Sequence, residues 1–465
     1  MTAGVAAGHP ATARTGVEIL AAGGSAADAA VAAVLASCVA ETLLTGLSGG
    51  GFATYYDAAT AEVTCLDFFV AVPGLDGTRS GPMTEIEVNF GGVPLRYDIG
   101  GASVAVPGVP AGCGELHARW GRLPWRDVVQ PAIELAKRGA PFPDAQARAL
   151  RALTPVMTRG DGALAYAPNG RLLQGGELLY HPGLAEMMEL LAEHGPTICY
   201  TGEIADLMVA AARRDGGALS HADLAAYRVV ELPVLRADFG PYHVYGRADL
   251  NRTIATLATL PPLADLSREE RAVRIAAALH DTSTHRIGDT TNIAVVDPDG
   301  NACVVTTTLG LGAGIWLPGL GVHLNSMLGE RELLTTETVP GHRMLSMMCP
   351  IVVTDPTAGH TLLLAAGAAG ASRIRSALVH TLVGVLVDGW DPASAIARPR
   401  FHVYDGVVHA EPGIPESELD ALTAAGFPVR IWDSLNHYFG GASAVGRGGA
   451  GGDPRRGGVG MLLET

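Results

Sequence analysis

The sequence predicts a mixed α/β protein with alternating helices and strands, and two stretches carry that prediction. Two apolar, β-branched runs, residues 293–296 and 302–308, flank a Pro-Asp-Gly-Asn segment at 298–301, which is typical of a β-hairpin. Near the start of the chain, Ser25 precedes a long Ala-rich run, and Asp28 stands in its first turn. A serine cap followed by an acidic first turn favours a helix there.

The length and composition predict a large, closely packed core. The 465 residues correspond to about three domains of ordinary size, although one large α/β unit is also within range. Apolar residues make up 48% of the chain, whereas charged residues make up 17% and aromatic residues 5%. Because so few side chains are aromatic or charged, we expect a core built mainly from alanine, glycine and valine.

The charge balance predicts a small-molecule ligand rather than a nucleic acid or a membrane. The formal net charge is −15, and an acidic surface attracts neither a phosphate backbone nor anionic lipid head groups. No apolar run reaches the length of about 18 residues that a membrane span needs, and the first residues do not form a secretion signal. The sequence therefore predicts a cytoplasmic protein.

The cysteines predict neither a disulfide framework nor a zinc site. They are scattered along the chain, with no Cys-x-x-Cys pair and no Cys/His spacing of the kind that binds zinc. We expect them to be small buried hydrophobic residues. The six are Cys38, Cys65, Cys113, Cys199, Cys303 and Cys349.

The start of the predicted hairpin contains a candidate nucleophile. The chain runs Gly-Asp-Thr-Thr-Asn from residue 288, and a Thr-Thr pair at the start of a strand is by itself explained by β-propensity. The pair, the Asp-Pro-Asp-Gly-Asn turn at 297–301 and the Thr-Thr-Thr-Leu run at 306–309 together resemble the nucleophile region of the γ-glutamyltranspeptidase family. Only the histidine that follows the Thr-Thr pair in that family is replaced, by Asn292.

This resemblance implies an N-terminal-nucleophile hydrolase that cuts its own chain between Asp289 and Thr290. It also implies a four-layer αββα sandwich, which a large fragment, residues 1–289, and a small fragment, residues 290–465, form together as one intertwined domain. We expect the two fragments to remain together as a heterodimer. A dimer of that heterodimer is left open.

Physical chemistry explains why a threonine follows the cut. A hydroxyl is a weak nucleophile at neutral pH and needs an adjacent base. Cleavage before Thr290 exposes an α-amino group, whose reference pKa of about 7.7–8.0 suits that role. An internal threonine has no such amine, so self-cleavage and activity are linked. This chemistry requires no metal ion and no organic cofactor.

Other segments extend the resemblance over nearly the whole chain. The N-terminal half contributes the predicted Ala-rich helix and the Gly-Leu-Ser-Gly-Gly-Gly-Phe run at 46–52. The C-terminal half contributes residues 367–374, where the resemblance implies that the N–H groups of Gly370 and Ala371 stabilise an oxyanion. Thr308 matches a family threonine that hydrogen-bonds the nucleophile.

The expected substrate pocket departs from the family pattern. Phe69 stands where the family has an arginine that binds the substrate's α-carboxylate, and a phenyl ring cannot make that charge-assisted contact. Met347 replaces a serine, and Gly310 replaces an asparagine that binds the substrate's amine. Ser346 and Asn325 are retained as hydrogen-bonding candidates. We therefore expect a more apolar pocket that binds a standard γ-glutamyl donor poorly.

These features predict a biosynthetic hydrolase. The resemblance includes a family branch, in pathways to 4-alkyl-proline antibiotics, that hydrolyses a carbon–carbon bond next to a keto or dienoate group. An apolar pocket suits such a substrate, so we expect cleavage of a C–C or amide bond through an acyl-Thr290 intermediate. Two alternatives are a conventional γ-glutamyl hydrolase or transpeptidase that acts on glutathione-like substrates, and a catalytically silent binding protein.

Overall fold

The computed structural model describes residues 2–90, 93–280, 290–334 and 338–464, which form twenty strands and fourteen α-helices. The strands are β1 (Gly4–Ala7), β2 (Gly50–Tyr56), β3 (Val63–Phe68), β4 (Thr84–Phe90), β5 (Val93–Ile99), β6 (Ala140–Pro141), β7 (Leu178–Leu179), β8 (Val230–Leu232), β9 (Leu235–Phe239), β10 (Tyr242–Gly246), β11 (Thr291–Val296), β12 (Ala302–Thr308), β13 (Ile351–Asp355), β14 (Thr361–Ala369), β15 (Phe401–Tyr404), β16 (Val407–Ala410), β17 (Val429–Ile431), β18 (Gly441–Gly446), β19 (Gly449–Gly452) and β20 (Val459–Leu462). The helices are α1 (Pro10–Ala21), α2 (Ala26–Ala40), α3 (Val109–Trp120), α4 (Trp125–Arg138), α5 (Asp144–Met157), α6 (Gly162–Tyr166), α7 (Leu184–His194), α8 (Glu203–Arg214), α9 (His221–Ala226), α10 (Thr253–Thr259), α11 (Arg268–His280), α12 (Arg373–Leu382), α13 (Pro392–Ala397) and α14 (Glu416–Ala424).

Two large antiparallel sheets lie at the centre of the molecule. One has seven strands in the order β20-β1-β11-β12-β2-β3-β8, and the other has six in the order β19-β18-β14-β13-β10-β9. Apolar side chains from both sheets pack against each other, among them Val296 and Val304 of the first sheet and Val352 and Val445 of the second. The two sheets are therefore the inner layers of a sandwich.

Helices cover the outer face of each sheet. In the first sheet, successive residues of β11 point to opposite faces, so that Val296 faces the second sheet while Val295 packs into the core formed with α2, α3 and α4. In the second sheet, Val353 packs into a separate core with Ile275 of α11 and Leu378 of α12. The order of layers is αββα, which confirms the predicted fold class.

The predicted hairpin is confirmed as β11 and β12, which are central strands of the seven-stranded sheet. They pair antiparallel with Thr291 opposite Thr307. Asp297 closes the turn, because its Oδ1 accepts a hydrogen bond from the N–H of Asn301 at 2.9 Å. Its Oδ2 accepts one from the N–H of Ala26 at 3.0 Å, so the hairpin turn is also bonded to the start of α2.

The predicted Ala-rich helix is confirmed as α2, and two reciprocal hydrogen bonds between Ser25 and Asp28 cap its N-terminus. The Ser25 Oγ accepts a hydrogen bond from the Asp28 N–H at 3.1 Å, while Asp28 Oδ2 accepts one from the Ser25 N–H at 3.0 Å. The same Oδ2 accepts the N–H of Arg122 at 2.8 Å, which ties the helix to the α3–α4 connection. All fifteen residues of α2 are buried, and small side chains allow this close approach.

Two further expectations concern cysteines and membranes. The six cysteines are free and buried, as expected from their scattered positions. Among the helices in the described residues, none has the length and apolar character needed to cross a membrane.

Gly367 in β14 leaves room for the side chain of Asn292 between the two sheets. A Cβ atom at this position would overlap the Asn292 amide. We expect Gly367→Ala to lower the free energy of unfolding by about 1–3 kcal/mol, because a close-packed interface must shift to admit the methyl group. The urea concentration at the midpoint of unfolding measures this change. Gly81→Ala is the control, since its Cβ would meet backbone atoms only at 3.5 Å; equal midpoints for both variants would contradict the expectation.

Candidate active site

Thr290 directly precedes β11 and lies where the two sheets meet. It is buried, and its Oγ accepts a hydrogen bond from the N–H of Gly370, the residue that follows β14, at 3.4 Å. Its carbonyl oxygen accepts one from Arg456 Nη1 at 3.3 Å. Asp289, on the other side of the predicted cleavage bond, lies outside the described residues. The hydroxyl of the candidate nucleophile is thus held beside a loop of the second sheet.

The pairing of β11 with β12 places Thr308 beside Thr290. Thr291 lies opposite Thr307, so the same register places Thr290 opposite Thr308. Directly opposite residues project from the same face of a sheet, and both threonines line one cavity. The Thr308 Oγ also accepts a hydrogen bond from the Gly310 N–H at 3.0 Å. A hydrogen bond between the two threonine hydroxyls stays a prediction.

Gly370 and Ala371 form a strained turn between β14 and α12. Their φ angles are +111° and +53°, and a positive φ at an alanine costs of order 1–3 kcal/mol. The Ala371 carbonyl accepts a hydrogen bond from Asn251 Nδ2 at 2.9 Å, which fixes the peptide. Within the described residues the buried Ala371 N–H donates to no acceptor. The Gly370 N–H is thus directed at the Thr290 hydroxyl, and Ala371 lines the same cavity as Thr290.

A cavity of about 20 Å³ lies beside Thr290, and we call it the nucleophile cavity. This volume admits about one water molecule. Six of the predicted site residues line it, and most of the others that line it are apolar. The lining residues are Phe69, Thr290, Thr308, Met327, Glu330, Leu333, Ser346, Met347, Met348, Ala371 and Ile374.

Phe69 forms an apolar wall of the nucleophile cavity. Its side chain is fully buried, with its ring centroid 5.4 Å from that of Phe52. The backbone is fixed on both sides, because the Phe69 N–H donates to Asp67 Oδ1 at 2.7 Å and the Tyr227 hydroxyl donates to the Phe69 carbonyl at 2.7 Å. A carboxylate placed against this wall would lose hydration without gaining a charged partner from Phe69.

Ser346 and Met347 reach the cavity from the loop before β13. The Ser346 Oγ accepts a hydrogen bond from the Met348 N–H at 3.2 Å, and the Ser346 carbonyl accepts one from the Leu250 N–H at 2.9 Å. The loop is therefore held in place while the serine hydroxyl retains a proton to donate. Met347 adds a flexible apolar surface beside it.

Two predicted substrate-binding residues do not line the nucleophile cavity. Gly310, with a φ of +71°, does not reach the cavity itself, and its N–H donates to the Oγ of Thr308, which does line the cavity. The Asn325 amide is already used: its Nδ2 donates to the carbonyls of Ser48 and Ala105 at 2.8 Å each, and its Oδ1 accepts the N–H groups of Ala105 and Met327. A substrate contact would break one of these bonds, so the structure gives Asn325 a structural role in place of the expected substrate contact.

Glu330 is a site residue to which the sequence pattern gave no role. It is buried, and among the residues that line the nucleophile cavity it alone is ionisable. A single acidic residue in a loop has no periodicity or spacing that marks it, so its place in the cavity emerges only from the fold. An ionised carboxylate at this position favours a positively charged group on the ligand.

A second buried acid, Glu41, fixes the residue that follows Thr290. Its Oε2 accepts a hydrogen bond from the Thr291 hydroxyl at 2.5 Å, and its Oε1 accepts one from the Thr12 hydroxyl at 2.7 Å. Burial raises the pKa of Glu41, while the two hydroxyls and the nearby Arg456 guanidinium partly offset that rise. Glu41 therefore joins α1, the end of α2 and β11 behind the nucleophile.

The arrangement as a whole suits acyl transfer. A threonine hydroxyl, the Gly370 N–H that donates to it and a small cavity lie together, an arrangement suited to attack on a carbonyl carbon. Across the described ranges, no group of three or more His, Cys, Asp and Glu side chains is placed to hold a metal ion.

The sequence and the fold are similar to those of known proteins. A family model described as Gamma-glutamyltranspeptidase matches residues 12–282 and 263–463. The Acylase ACY 1 proenzyme of a Pseudomonas strain is 27% identical over an alignment of 490 positions, which covers 91% of this chain and 87% of the relative. A glutathione hydrolase proenzyme of another Pseudomonas strain is 27% identical, with 92% and 85% covered. The solved structure of LmbA2991HD shares the fold, with a TM-score of 0.81 at 20% identity over 100% of this chain and 99% of that one.

The raised pKa of Glu41 predicts a pH-dependent contribution to stability. Because the folded state holds this proton more tightly, the contribution is fully present below the unfolded-state pKa of about 4.3 and is lost as pH rises through the raised folded-state pKa. Glu41→Gln cannot titrate, so we expect it to lose less unfolding free energy than the wild type between about pH 5 and about pH 8. Urea midpoints at the two pH values measure the difference.

Glu18→Gln, at an exposed position of α1, is the control for Glu41→Gln. It removes one carboxylate without removing a buried hydrogen-bond acceptor. If the Glu41→Gln protein and the wild type lose the same stability over this pH range, the role given to Glu41 is wrong.

Proposed function

The chain belongs to the γ-glutamyltranspeptidase family, and from that basis we propose that it is a self-processing hydrolase whose N-terminal nucleophile is Thr290. One observation carries the proposal. The Gly370 N–H lies 3.4 Å from the Thr290 Oγ, and Ala371 lines the same cavity, which supports a role for this loop in stabilising an oxyanion. The proenzyme names of the relatives support a processed, two-fragment form.

In the proposed processing step, Thr290 Oγ attacks the carbonyl carbon of Asp289. The hydroxyl proton leaves, the peptide C–N bond breaks, and the departing nitrogen takes up a proton, so that an ester joins Asp289 to the Thr290 oxygen. Water then hydrolyses the ester. The products are a carboxylate at residue 289 and a free α-amine at residue 290, with residues 1–289 and 290–465 kept together as a heterodimer by their shared sheets.

In the proposed turnover, the new amine of Thr290 accepts the proton of its own hydroxyl, and Oγ attacks the substrate. The oxyanion is stabilised by the N–H groups of Gly370 and Ala371, each with a contribution of about 3 kcal/mol. The leaving group takes the proton, and water releases the acyl group from Thr290. The amine serves as base only once the chain is cut, which links activity to processing.

The proposed substrate is a small biosynthetic intermediate in which a C–C or amide bond is cut, in a pathway of the 4-alkyl-proline type. The apolar walls formed by Phe69 and Met347 support a substrate without a carboxylate at that position. Glu330 supports an amine on the same substrate. The acylase name of one relative favours an amide bond. The second candidate, γ-glutamyl hydrolysis, is favoured by the glutathione hydrolase relative.

Substitution of Thr290 tests the proposal. We expect Thr290→Ala to remain one chain of 47.9 kDa on a denaturing gel, because no hydroxyl is present to attack Asp289. Thr290→Ser, the matched control, keeps the hydroxyl and is expected to give fragments of about 30 and about 18 kDa, in proportion to residues 1–289 and 290–465. Cleavage of the alanine variant would contradict the role of Thr290 as the processing nucleophile. An uncut wild type under every condition would support the silent binding protein instead.

Replacement of Phe69 tests the substrate class. We expect little hydrolysis of glutamyl-p-nitroanilide by the wild type, because the α-carboxylate meets a phenyl ring. In Phe69→Arg a charge-assisted bond worth about 1.5–3 kcal/mol is expected to raise kcat/KM by about 10-fold or more. Phe69→Met is the uncharged control, and the processing gel checks folding. Efficient hydrolysis of this substrate by the wild type would favour the second candidate function, γ-glutamyl hydrolysis.

A further inference from the structure

A second, larger cavity lies between α11, α12, α13 and α14. Its volume is about 260 Å³, against about 20 Å³ for the nucleophile cavity, and the two share no lining residue. Its charged walls are formed by Arg268, Arg271, Asp388, Arg398 and Glu418, and we call it the arginine cavity. The proposed reaction uses none of these residues.

Among the charged side chains that line the arginine cavity, three guanidinium groups face two carboxylates. Asp388 accepts hydrogen bonds from Arg271 Nη1 at 2.6 Å and from Arg398 Nη1 at 2.8 Å. Arg398 Nη2 donates to Glu418 Oε1 at 3.3 Å. These two acids balance two guanidinium groups. Arg268 makes no hydrogen bond or ion pair with any residue that the structure describes, although its charge partly offsets the burial that raises the pKa of Glu418. Its guanidinium therefore has no direct partner among the described residues and can bind a ligand.

The remaining walls are apolar, aromatic or neutral. The Trp390 ring is half-buried, and Arg398 Cζ lies 4.9 Å from its centroid, so the guanidinium fixes the indole by a cation–π contact. His380 also lines the cavity, and burial lowers its pKa to about 3, so the imidazole adds no charge at neutral pH. Aliphatic surface comes from Ile275, Val383 and Ile414.

The backbone of one wall is irregular. Directly after α12, residues Val383–Val387 form a π-helical turn, an uncommon conformation that occurs frequently at functional sites. Val383 lines the cavity. The backbone N–H of Trp390 donates to the Gly384 carbonyl at 2.9 Å, and this bond holds Trp390 beside the cavity. The irregular turn thus helps to bring the Trp390 ring into the same cavity as Arg268 and Arg271 of α11.

We propose that the arginine cavity is a second small-molecule site, which binds a monoanionic carboxylate with an aromatic or apolar body. The carboxylate pairs with Arg268, while the body lies against Trp390 and the aliphatic walls. The volume is below the range of about 300–1,000 Å³ for drug-sized ligands, so the ligand is small.

Titration calorimetry of the full chain with benzoate tests the proposal. Benzoate is a monoanion with an aromatic body, and benzamide is its neutral counterpart of nearly the same shape. We expect one benzoate per chain with a Kd of about 1 mM or lower, and binding of benzamide weaker by about 10-fold or more. The titration does not require Thr290 to react, so its result is independent of the proposed hydrolase activity.

Three variants locate the binding site. Arg268→Gln removes the one guanidinium of the cavity that has no hydrogen-bonded carboxylate in the described part of the chain, and we expect benzoate to bind about 10-fold more weakly. Arg274→Gln, at an exposed position of the same helix but outside the cavity, is the matched control and should bind as the wild type does. Ile414→Trp fills the cavity, so benzoate binding should be lost while circular dichroism shows an intact fold.

Several results would overturn the proposal. They are the absence of benzoate binding up to about 20 mM, equal affinity for benzoate and benzamide, and wild-type affinity in Arg268→Gln. A misfolded Ile414→Trp protein does not affect the decision, since Arg268→Gln and Arg274→Gln alone distinguish the arginine cavity from any other site on the chain.

Discussion

The site depends on the close approach of two sheets at the start of β11. β11 lies between β1 and β12 in one sheet, and β14 lies between β13 and β18 in the other, so neither can shift without moving its neighbours. Asn292 fits into the space left by Gly367, and its carbonyl accepts a hydrogen bond from the Ser443 hydroxyl at 3.1 Å. These contacts set the spacing at which the Gly370 N–H reaches Thr290 Oγ.

A buried ionic cluster in the C-terminal segment also helps to hold the nucleophile in place. Arg455 donates to both oxygens of Glu411, at 2.6 and 2.5 Å, and Arg400 donates to Asp453 at 2.8 Å. Arg456, which follows Arg455 in the chain, donates a hydrogen bond to the Thr290 carbonyl. Loss of one member of a buried cluster typically costs about 3–5 kcal/mol, because a charge is left unpaired. The nucleophile and the end of the chain are therefore structurally linked.

Much of the fold and part of the site could be predicted from the sequence because they are encoded locally. The Ser25 cap, the turn at 297–301 and the turn of Gly370 and Ala371 each arise within a few residues. Glu41 could not be assigned in this way, since its partner Thr291 is 250 residues away. The arginine cavity could not be predicted for the same reason, because its walls come from four helices that lie far apart in the sequence.

Asn325 illustrates a different limit. Its place in a family-like segment predicted a substrate contact, but four hydrogen bonds to backbone groups use the whole amide. A sequence pattern identifies which residue is present, whereas the choice between a ligand and a backbone partner is made by the packing around it. Glu330 shows the converse, since a loop residue without a pattern faces the nucleophile cavity.

The most direct measurement is the N-terminal sequence of the small fragment isolated from the mature protein. The account predicts Thr-Thr-Asn-Ile, starting at Thr290. A first residue other than Thr290 would remove the amine from the residue that the Gly370 N–H contacts, and would contradict the central claim.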